Sequence, residues 1–262
     1  MRGILLAGGS GSRLSPVTDV VNKHLLPIYD RPMAFYPLST LISAGIREIL
    51  VISTTEDMPL YSKLLGDGED LGVSIKYASQ PSPDGIAQAF IIAEEFIGDG
   101  PVTLILGDNV FTGKEVVDKL RYVIENIGDG AAIFGFPVKD PERFGVAEID
   151  EDGELVSIIE KPEVPPSNIA VAGLYVYGSG ASRRARGLFP SERGELEITD
   201  LNRMYLEEGL MKLFILGEDC YWLDTGTHET LFAASKHVRQ LALSGESDRS
   251  PLGNLAEEGQ PK

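Results

Sequence analysis

The first 127 residues alternate between short apolar runs and helical periodicities, and this alternation constrains the fold more than any other feature. Residues 3–6 and 48–53 read as buried strands, the second carrying Ile49, Leu50, Val51 and Ile52 in succession. Residues 74–78 alternate as a third strand, and 102–106 form a fourth. Between them, residues 32–44 place Phe35, Leu38, Leu41 and Ile42 at helical spacings and end at Gly45. Residues 58–65, 86–97 and 116–127 read as further helices. Unbroken apolar runs suit strands covered on both faces, so the pattern predicts βαβ units around a parallel sheet.

After residue 130 the texture changes. Residues 131–138 read as a strand, and 145–149 and 155–159 flank Glu151-Asp152-Gly153 as a hairpin. Residues 169–177 are strand-like, 181–187 and 198–208 helical, 212–216 a strand and 227–243 a closing helix. Antiparallel elements are thus added to a parallel core, which predicts one mixed, mainly parallel sheet. The expected organisation is a single α/β domain over residues 1–243, with insertions in its second half. A polar tail rich in Gly, Pro and Glu follows over residues 244–262, expected to be flexible.

The chain of 262 residues carries 23 Lys plus Arg against 40 Asp plus Glu, a formal charge of -17. Such a surface repels nucleic-acid backbones and anionic membranes on average, and no basic, aromatic-interleaved patch is visible; neither partner is expected. A small anionic ligand reads the local field and is not excluded. Cys220 is the only cysteine, which rules out an intrachain disulfide and a cysteine metal site. The three histidines, His24, His228 and His237, have no zinc spacing. The apolar run at residues 4–7 is too short for a signal peptide or a membrane span, so a cytoplasmic setting is expected.

The first strand runs into Gly8-Gly9-Ser10-Gly11-Ser12-Arg13. Glycines let a backbone turn tightly and point several N–H groups at phosphate oxygens, and an arginine adds a planar charged fork. A plain turn with surface cations is the bland alternative. A P-loop is excluded because Arg13-Leu14 stands where Lys and Ser or Thr belong, and a dinucleotide fingerprint fails because Leu14 occupies the last glycine position.

Residues 3–14, Gly3-Ile4-Leu5-Leu6-Ala7-Gly8-Gly9-Ser10-Gly11-Ser12-Arg13-Leu14, resemble the signature of the sugar-phosphate nucleotidyltransferases. Lys23-His24-Leu25-Leu26-Pro27 resembles the lysine motif of that family, and Leu106-Gly107-Asp108-Asn109 its metal-binding aspartate motif. The stretch from Gln80-Pro81-Ser82-Pro83-Asp84-Gly85 to Ala89 is similar to the base motif of the thymidylyl-transferring members. Phe144-Gly145-Val146, Glu160-Lys161-Pro162 and Trp222-Leu223-Asp224-Thr225-Gly226 follow in the family's order, so the resemblance spans residues 2–240. Two departures stand out: Ser12 for a common threonine, and His24 for a common glutamine that helps place the nucleotide. Longer relatives build a regulatory site from further C-terminal helices, and that site is not expected here.

The resemblance implies a Rossmann-like three-layer α/β/α nucleotidyltransferase core, in which the insertions of the second half bind the sugar. It also implies an enzyme joining dTTP and glucose 1-phosphate, with Mg²⁺ as cofactor and a homo-oligomeric state. Arg13, Lys23 and Lys161 become the expected catalytic cations, contacting the β and γ phosphates, the α-phosphate and the sugar phosphate. Leu6, Gly8, Gly9, Gly11, Ser12, Gln80 and Gly85 become nucleotide-binding, and Asn109, Gly145, Glu160 and Val171 sugar-binding. Asp108 and Asp224 become metal ligands, although each alone reads as a turn residue or a helix cap. Other nucleotides, UTP, CTP or ATP, and a non-catalytic nucleotide-sugar sensor remain the alternatives.

Overall fold

The computed structural model describes residues 1–9, 11–217 and 219–245. The expected flexible tail lies outside the described residues beyond Gly245. The first half runs β1 (Arg2–Leu6), a short hairpin β2 (Pro27–Ile28) and β3 (Arg31–Pro32), α1 (Phe35–Ser43), β4 (Glu48–Ser53), α2 (Met58–Leu65), β5 (Ser74–Ser79), α3 (Gln88–Ile92), α4 (Glu94–Ile97), β6 (Val102–Leu106), β7 (Asn109–Thr112) and α5 (Lys114–Asn126). The second half adds β8 (Ala131–Pro137), β9 (Gly145–Ile149), β10 (Leu155–Glu160), β11 (Ile169–Tyr177), α6 (Ala181–Arg186), α7 (Ile198–Glu207), β12 (Met211–Ile215), β13 (Tyr221–Asp224) and α8 (His228–Ser244).

The central sheet is mixed. β1 lies between β4 and β6, parallel to both, and β5 extends the β4 side in parallel. The long β11 then runs antiparallel to β6, β8 and β9, with β12 parallel to β8. Strand order therefore reverses at β1, between β4 on one side and β6 on the other. In open α/β sheets this reversal leaves a crevice beyond the strands' C-terminal ends, where ligands bind.

Period-two alternation sends neighbouring residues into opposite layers. Leu5, Val51 and Ile105 pack with Leu38, Tyr61 and Leu120 of α1, α2 and α5 on one face. Ile4, Leu50, Ile52 and Leu104 pack with Phe90, Ala185, Leu201 and Tyr205 of α3, α6 and α7 on the other. Phe90 meets Tyr177 edge-on at 5.0 Å between ring centres. Each such fully buried large side chain contributes roughly 1.5–3 kcal/mol by leaving water.

The expected helix over 86–97 is two pieces. Gly85 has φ +106° and a Cβ there would stand 2.4 Å from Leu196 O, so the chain enters from a tight turn, and regular α-helix runs over Gln88–Ile92 after a helically disposed Ala87. Ala93 then interrupts the helix with ψ 6°, while its N–H still bonds Ala89 O. The sequence also concealed a ribbon. Residues 107–109 read as a strand end, yet β7 continues from Asn109 and pairs antiparallel with β13, Asp224 facing Asn109 and Trp222 facing Phe111. His237 is half-buried, and its Nε2 lies 2.8 Å from Thr112 Oγ1, tying α8 to this ribbon. Among the described residues no helix is long and apolar enough to cross a membrane.

Gly113 closes the ribbon with φ +98°, and a Cβ there would stand 2.1 Å from Asp219 O. Gly113→Ala is expected to destabilise the chain by about 1–3 kcal/mol, read from urea denaturation; an unchanged midpoint would contradict the close approach.

Candidate active site

The loop after β1 enters the crevice at the strand reversal. Ala7 N–H bonds Ile52 O at 2.7 Å and Gly107 N–H bonds Leu6 O at 2.8 Å, which fixes the ends of β1, β4 and β6 together. Crowding favours glycine in this loop at Gly8, where a Cβ would stand 2.7 Å from Gln80 Oε1, whereas at Gly9 a Cβ would only touch Lys23 Cε, at 3.4 Å. Gly11 is left-handed, and a Cβ there would meet Thr18 at 2.9 Å. Ser12 and Arg13 are exposed at the crevice mouth, in a short 3₁₀ turn. Leu6 is mostly core, packed with the apolar layer that includes Ile52 and Leu104.

Lys23 reaches back under the loop and pairs with Asp108. His24, next to it, is buried and donates from Nδ1 to Asn22 Oδ1 at 2.9 Å. Asn22 Oδ1 also accepts from Tyr61 Oη at 3.0 Å, and Asn22 Nδ2 donates to Asp57 at 2.7 Å. Burial, then the charge of Lys23, pushes the His24 imidazole down to about 3, so it is neutral near pH 7. His24 therefore acts as a neutral wedge between Gly9 and Gly107, a Cβ on Gly107 standing 2.8 Å from its Cδ2.

Asp108 and Asp224 meet across the ribbon. Thr225 donates to Asp108 O from both N–H, at 3.0 Å, and Oγ1, at 2.8 Å. Asn109 Nδ2 donates to Asp108 Oδ1 at 2.8 Å, while its Oδ1 accepts from Trp222 Nε1 at 2.6 Å and Gly173 N–H at 2.9 Å. Trp222 is thus a core residue stacked near Phe136 and Phe144, and it orients Asn109. Burial pushes the Asp224 carboxyl up to about 6, and the charge of Asp108 pushes the same way; Lys23, Arg13 and Arg143 offset only part of this. Burial acts on Asp108 too, but Lys23 and the hydrogen bonds hold it well below the usual carboxylate range. Arg13 joins through Gly226, where a Cβ would stand 3.0 Å from Arg13 Nη2 and 3.3 Å from Asp224 Oδ1.

The second half supplies the opposite wall. A Cβ at Gly145 would stand 3.3 Å from Thr199 Oγ1, 3.4 Å from Glu160 Oε2 and 3.9 Å from Val171 Cβ, so these four converge. Thr199 Oγ1 donates to Glu160 Oε2 at 2.5 Å. Lys161 Nζ lies 3.6 Å and Arg193 Nη2 3.5 Å from Glu160 Oε1. Lys161 has φ +41°, an uncommon backbone for a residue with a side chain, held by its N–H bonding Phe144 O at 2.9 Å. Burial raises the buried Tyr175 hydroxyl well above its usual value, and the charges of Glu160 and Asp108 add to this. Arg143 also links them: its Nη2 is 3.5 Å from Asp224 Oδ2, buried and without a hydrogen bond.

The structure thus gathers Arg13, Lys23, Asp108 and Asp224 on one wall and Gly145, Glu160, Lys161 and Val171 on the other. Gln80 and Gly85 lie at the far end of the loop, beside Gly8. Arg143, Arg193 and Thr199 escaped the sequence reading because nothing in their spacing marks them; the Arg193-Gly194-Glu195 turn ahead of α7 was the only available hint.

The nucleotidyl transferase family profile matches residues 2–240. A glucose-1-phosphate thymidylyltransferase of Neisseria gonorrhoeae is 56% identical over 239 residues, 91% of this chain and 83% of the relative. Its counterpart in Mycobacterium tuberculosis strain H37Rv is 49% identical over 241 residues, covering 92% and 83%. A crystal structure from Bacillus anthracis, assigned as a glucose-1-phosphate thymidylyltransferase and holding a sucrose, superposes with TM-score 0.85 at 41% identity, covering 91% of this chain and 95% of that one. A UDP-glucose pyrophosphorylase with bound UDP-glucose shares the fold at TM-score 0.79 and 22% identity. With a profile running through nearly every described element and relatives near half identity, the chain belongs to the nucleotidyl transferase family.

Proposed function

We propose that the chain transfers a thymidylyl group from dTTP to glucose 1-phosphate, giving dTDP-glucose and pyrophosphate. The observation that carries this reading is the crevice with cations on both walls and a pair of carboxylates, Asp108 and Asp224, on one of them. The chemistry explains the need for both. A sugar phosphate has a second pKa of about 6 and is already a nucleophile near neutral pH, so no general base is required. The difficulty is bringing anions together in line and balancing the charge that develops on the leaving pyrophosphate.

In this reading Arg13 and the N–H groups of Gly8, Gly9 and Gly11 receive the β and γ phosphates, with Ser12 beside them. Lys23 receives the α-phosphate and exchanges Asp108 for it. Lys161 and Arg193 hold the sugar phosphate, so its oxygen attacks the α-phosphorus from the side opposite the pyrophosphate. The P–O bond to pyrophosphate breaks as the new one forms. Glu160 accepts from glucose hydroxyls, while Gly145 and Val171 leave room for the ring. Asn109 contributes at most its second Nδ2 hydrogen, since its oxygen is fully used. Gln80 and Gly85 read the base, with Leu6 behind it.

Asp108 and Asp224 form an oxygen-only donor pair; burial and then the charge of Asp108 raise the Asp224 carboxyl, and Lys23, Arg13 and Arg143 offset this only in part. Hard divalent cations favour such carboxylates together with phosphate oxygens and water, so the pair fits Mg²⁺. When bound, Mg²⁺ supplies positive charge to the nucleotide phosphates. The overall acidity of the chain does not oppose anionic substrates, because the crevice supplies its own local cations.

The defining experiment is pyrophosphate release with glucose 1-phosphate and each of dTTP, UTP, dCTP and ATP. The highest kcat/KM is expected with dTTP, and no release with any nucleotide would refute the reading in favour of a sensor. Asp108→Asn is expected to lower kcat on the order of 100-fold at saturating Mg²⁺ while thermal unfolding stays cooperative; an unchanged kcat would remove Asp108 from the site. Lys161→Ala should raise KM for glucose 1-phosphate about 10-fold or more with little change for dTTP, and equal losses for both would count against its role.

A further inference from the structure

The base-reading end of the crevice contains a chain of hydrogen bonds with a fixed direction. Gln80 is buried at the end of β5, its N–H bonded to Ser53 O at 2.8 Å. Its side-chain Nε2 donates to Gln88 Oε1 at 2.7 Å and approaches Gly85 O at 3.4 Å. Gln88 Nε2 in turn donates to Asp84 Oδ2 at 2.9 Å, and Ser82 Oγ donates to the same oxygen at 2.5 Å. The loop carrying Asp84 is stapled to the opposite wall, Leu196 N–H bonding Asp84 O at 2.7 Å and Ala87 N–H bonding Leu196 O at 3.1 Å.

A glutamine amide has two ends of nearly the same shape and opposite polarity, so shape alone does not orient it. A carboxylate removes the ambiguity because it only accepts. Facing Asp84, Gln88 must turn its NH₂ toward the carboxylate and its oxygen toward Gln80. Gln80 must then turn its NH₂ toward Gln88, where the Gly85 carbonyl accepts as well. A reversed Gln80 would set oxygen against oxygen twice and leave buried donors unmade. What remains is Gln80 Oε1, aimed at the space above Gly8 that a Cβ would fill at 2.7 Å.

We propose that Asp84 and Gln88 are positioning residues that fix Gln80 as a hydrogen-bond acceptor toward the incoming base, and so select a pyrimidine with an imide N–H. This rests on the nucleotide transfer proposed above. Thymine and uracil carry a donor at ring N3, whereas cytosine carries an unprotonated nitrogen there. An acceptor pairs with the first and repels the second. Sites built on a buried polar group discriminate strongly because the wrong ligand leaves that group unpaired. The relay thus excludes cytosine nucleotides, and the thymine methyl is left to other contacts.

The test compares kcat/KM for dTTP and dCTP, by pyrophosphate release with glucose 1-phosphate and Mg²⁺, in the full chain and two variants. Gln88→Met keeps length and volume while removing both the donor and the acceptor of the amide. It is expected to lower the dTTP over dCTP preference at least about 10-fold, mainly through KM for dTTP. The double variant Asp84→Asn/Gln88→Glu rebuilds the chain with its direction intact. Its new amide at position 84 donates to the new carboxylate at position 88, and that carboxylate accepts from Gln80. The preference of this variant should return to within about threefold of the original. A cooperatively folded Gln88→Met protein with undiminished preference overturns the relay, as does a double variant no more selective than Gln88→Met. An original chain inert with every nucleotide overturns the transfer reading and the relay together, whereas an active chain with an unresponsive preference overturns the relay alone.

Discussion

Two carboxylates held close together and mostly shielded from water shape the centre of this molecule. Asp108 ends the run from β6 and Asp224 ends β13, and the ribbon of β7 and β13 brings them together by backbone pairing, independent of their charge. Repulsion between them has to be met by cations, and the chain sends three toward them from separate segments: Lys23 before the short hairpin, Arg13 from the glycine loop and Arg143 from the turn before β9. Breaking one member of such a buried ionic group leaves its partner uncompensated, which costs far more than a surface pair returns. The site is therefore also a folding constraint, and its parts depend on one another.

Asn109 and Trp222 make this coupling concrete. Asn109 lies in the ribbon, its amide oxygen takes hydrogen bonds from the Trp222 indole and the β11 backbone, and its nitrogen turns toward Asp108. The carboxylate is thereby oriented from the aromatic layer of Phe136 and Phe144 rather than from solvent. Rigid elements of this kind hold reacting groups more accurately than free loops do.

Much of this arrangement was legible in the chain before any coordinates. Apolar runs such as residues 48–53 and the periodicity of Phe35, Leu38 and Leu41 gave strands and helices nearly at their observed bounds, because burial on two faces leaves a strong local imprint. The glycine loop and the two aspartates were legible because short motifs carry them. The ribbon was not, since Asn109–Thr112 and Tyr221–Asp224 become strands only by pairing across more than a hundred residues. The hydrogen bonds that tie Asn109 to Trp222 and Gly173 were not legible either, because no local window contains those partners. Nor was the interruption at Ala93 legible, because nothing in the residues around it breaks a helical pattern.

Lys161 sits at φ +41°, in a region where a side chain costs roughly 1–3 kcal/mol and glycine costs almost nothing. Its backbone is bent to a shape that suits the smallest residue, while its ammonium group stands beside Glu160. Trading it for glycine would relax the bend and discard the charge at once. Durability and the role proposed for its ammonium group therefore make opposite demands on this one position, and the chain carries the lysine.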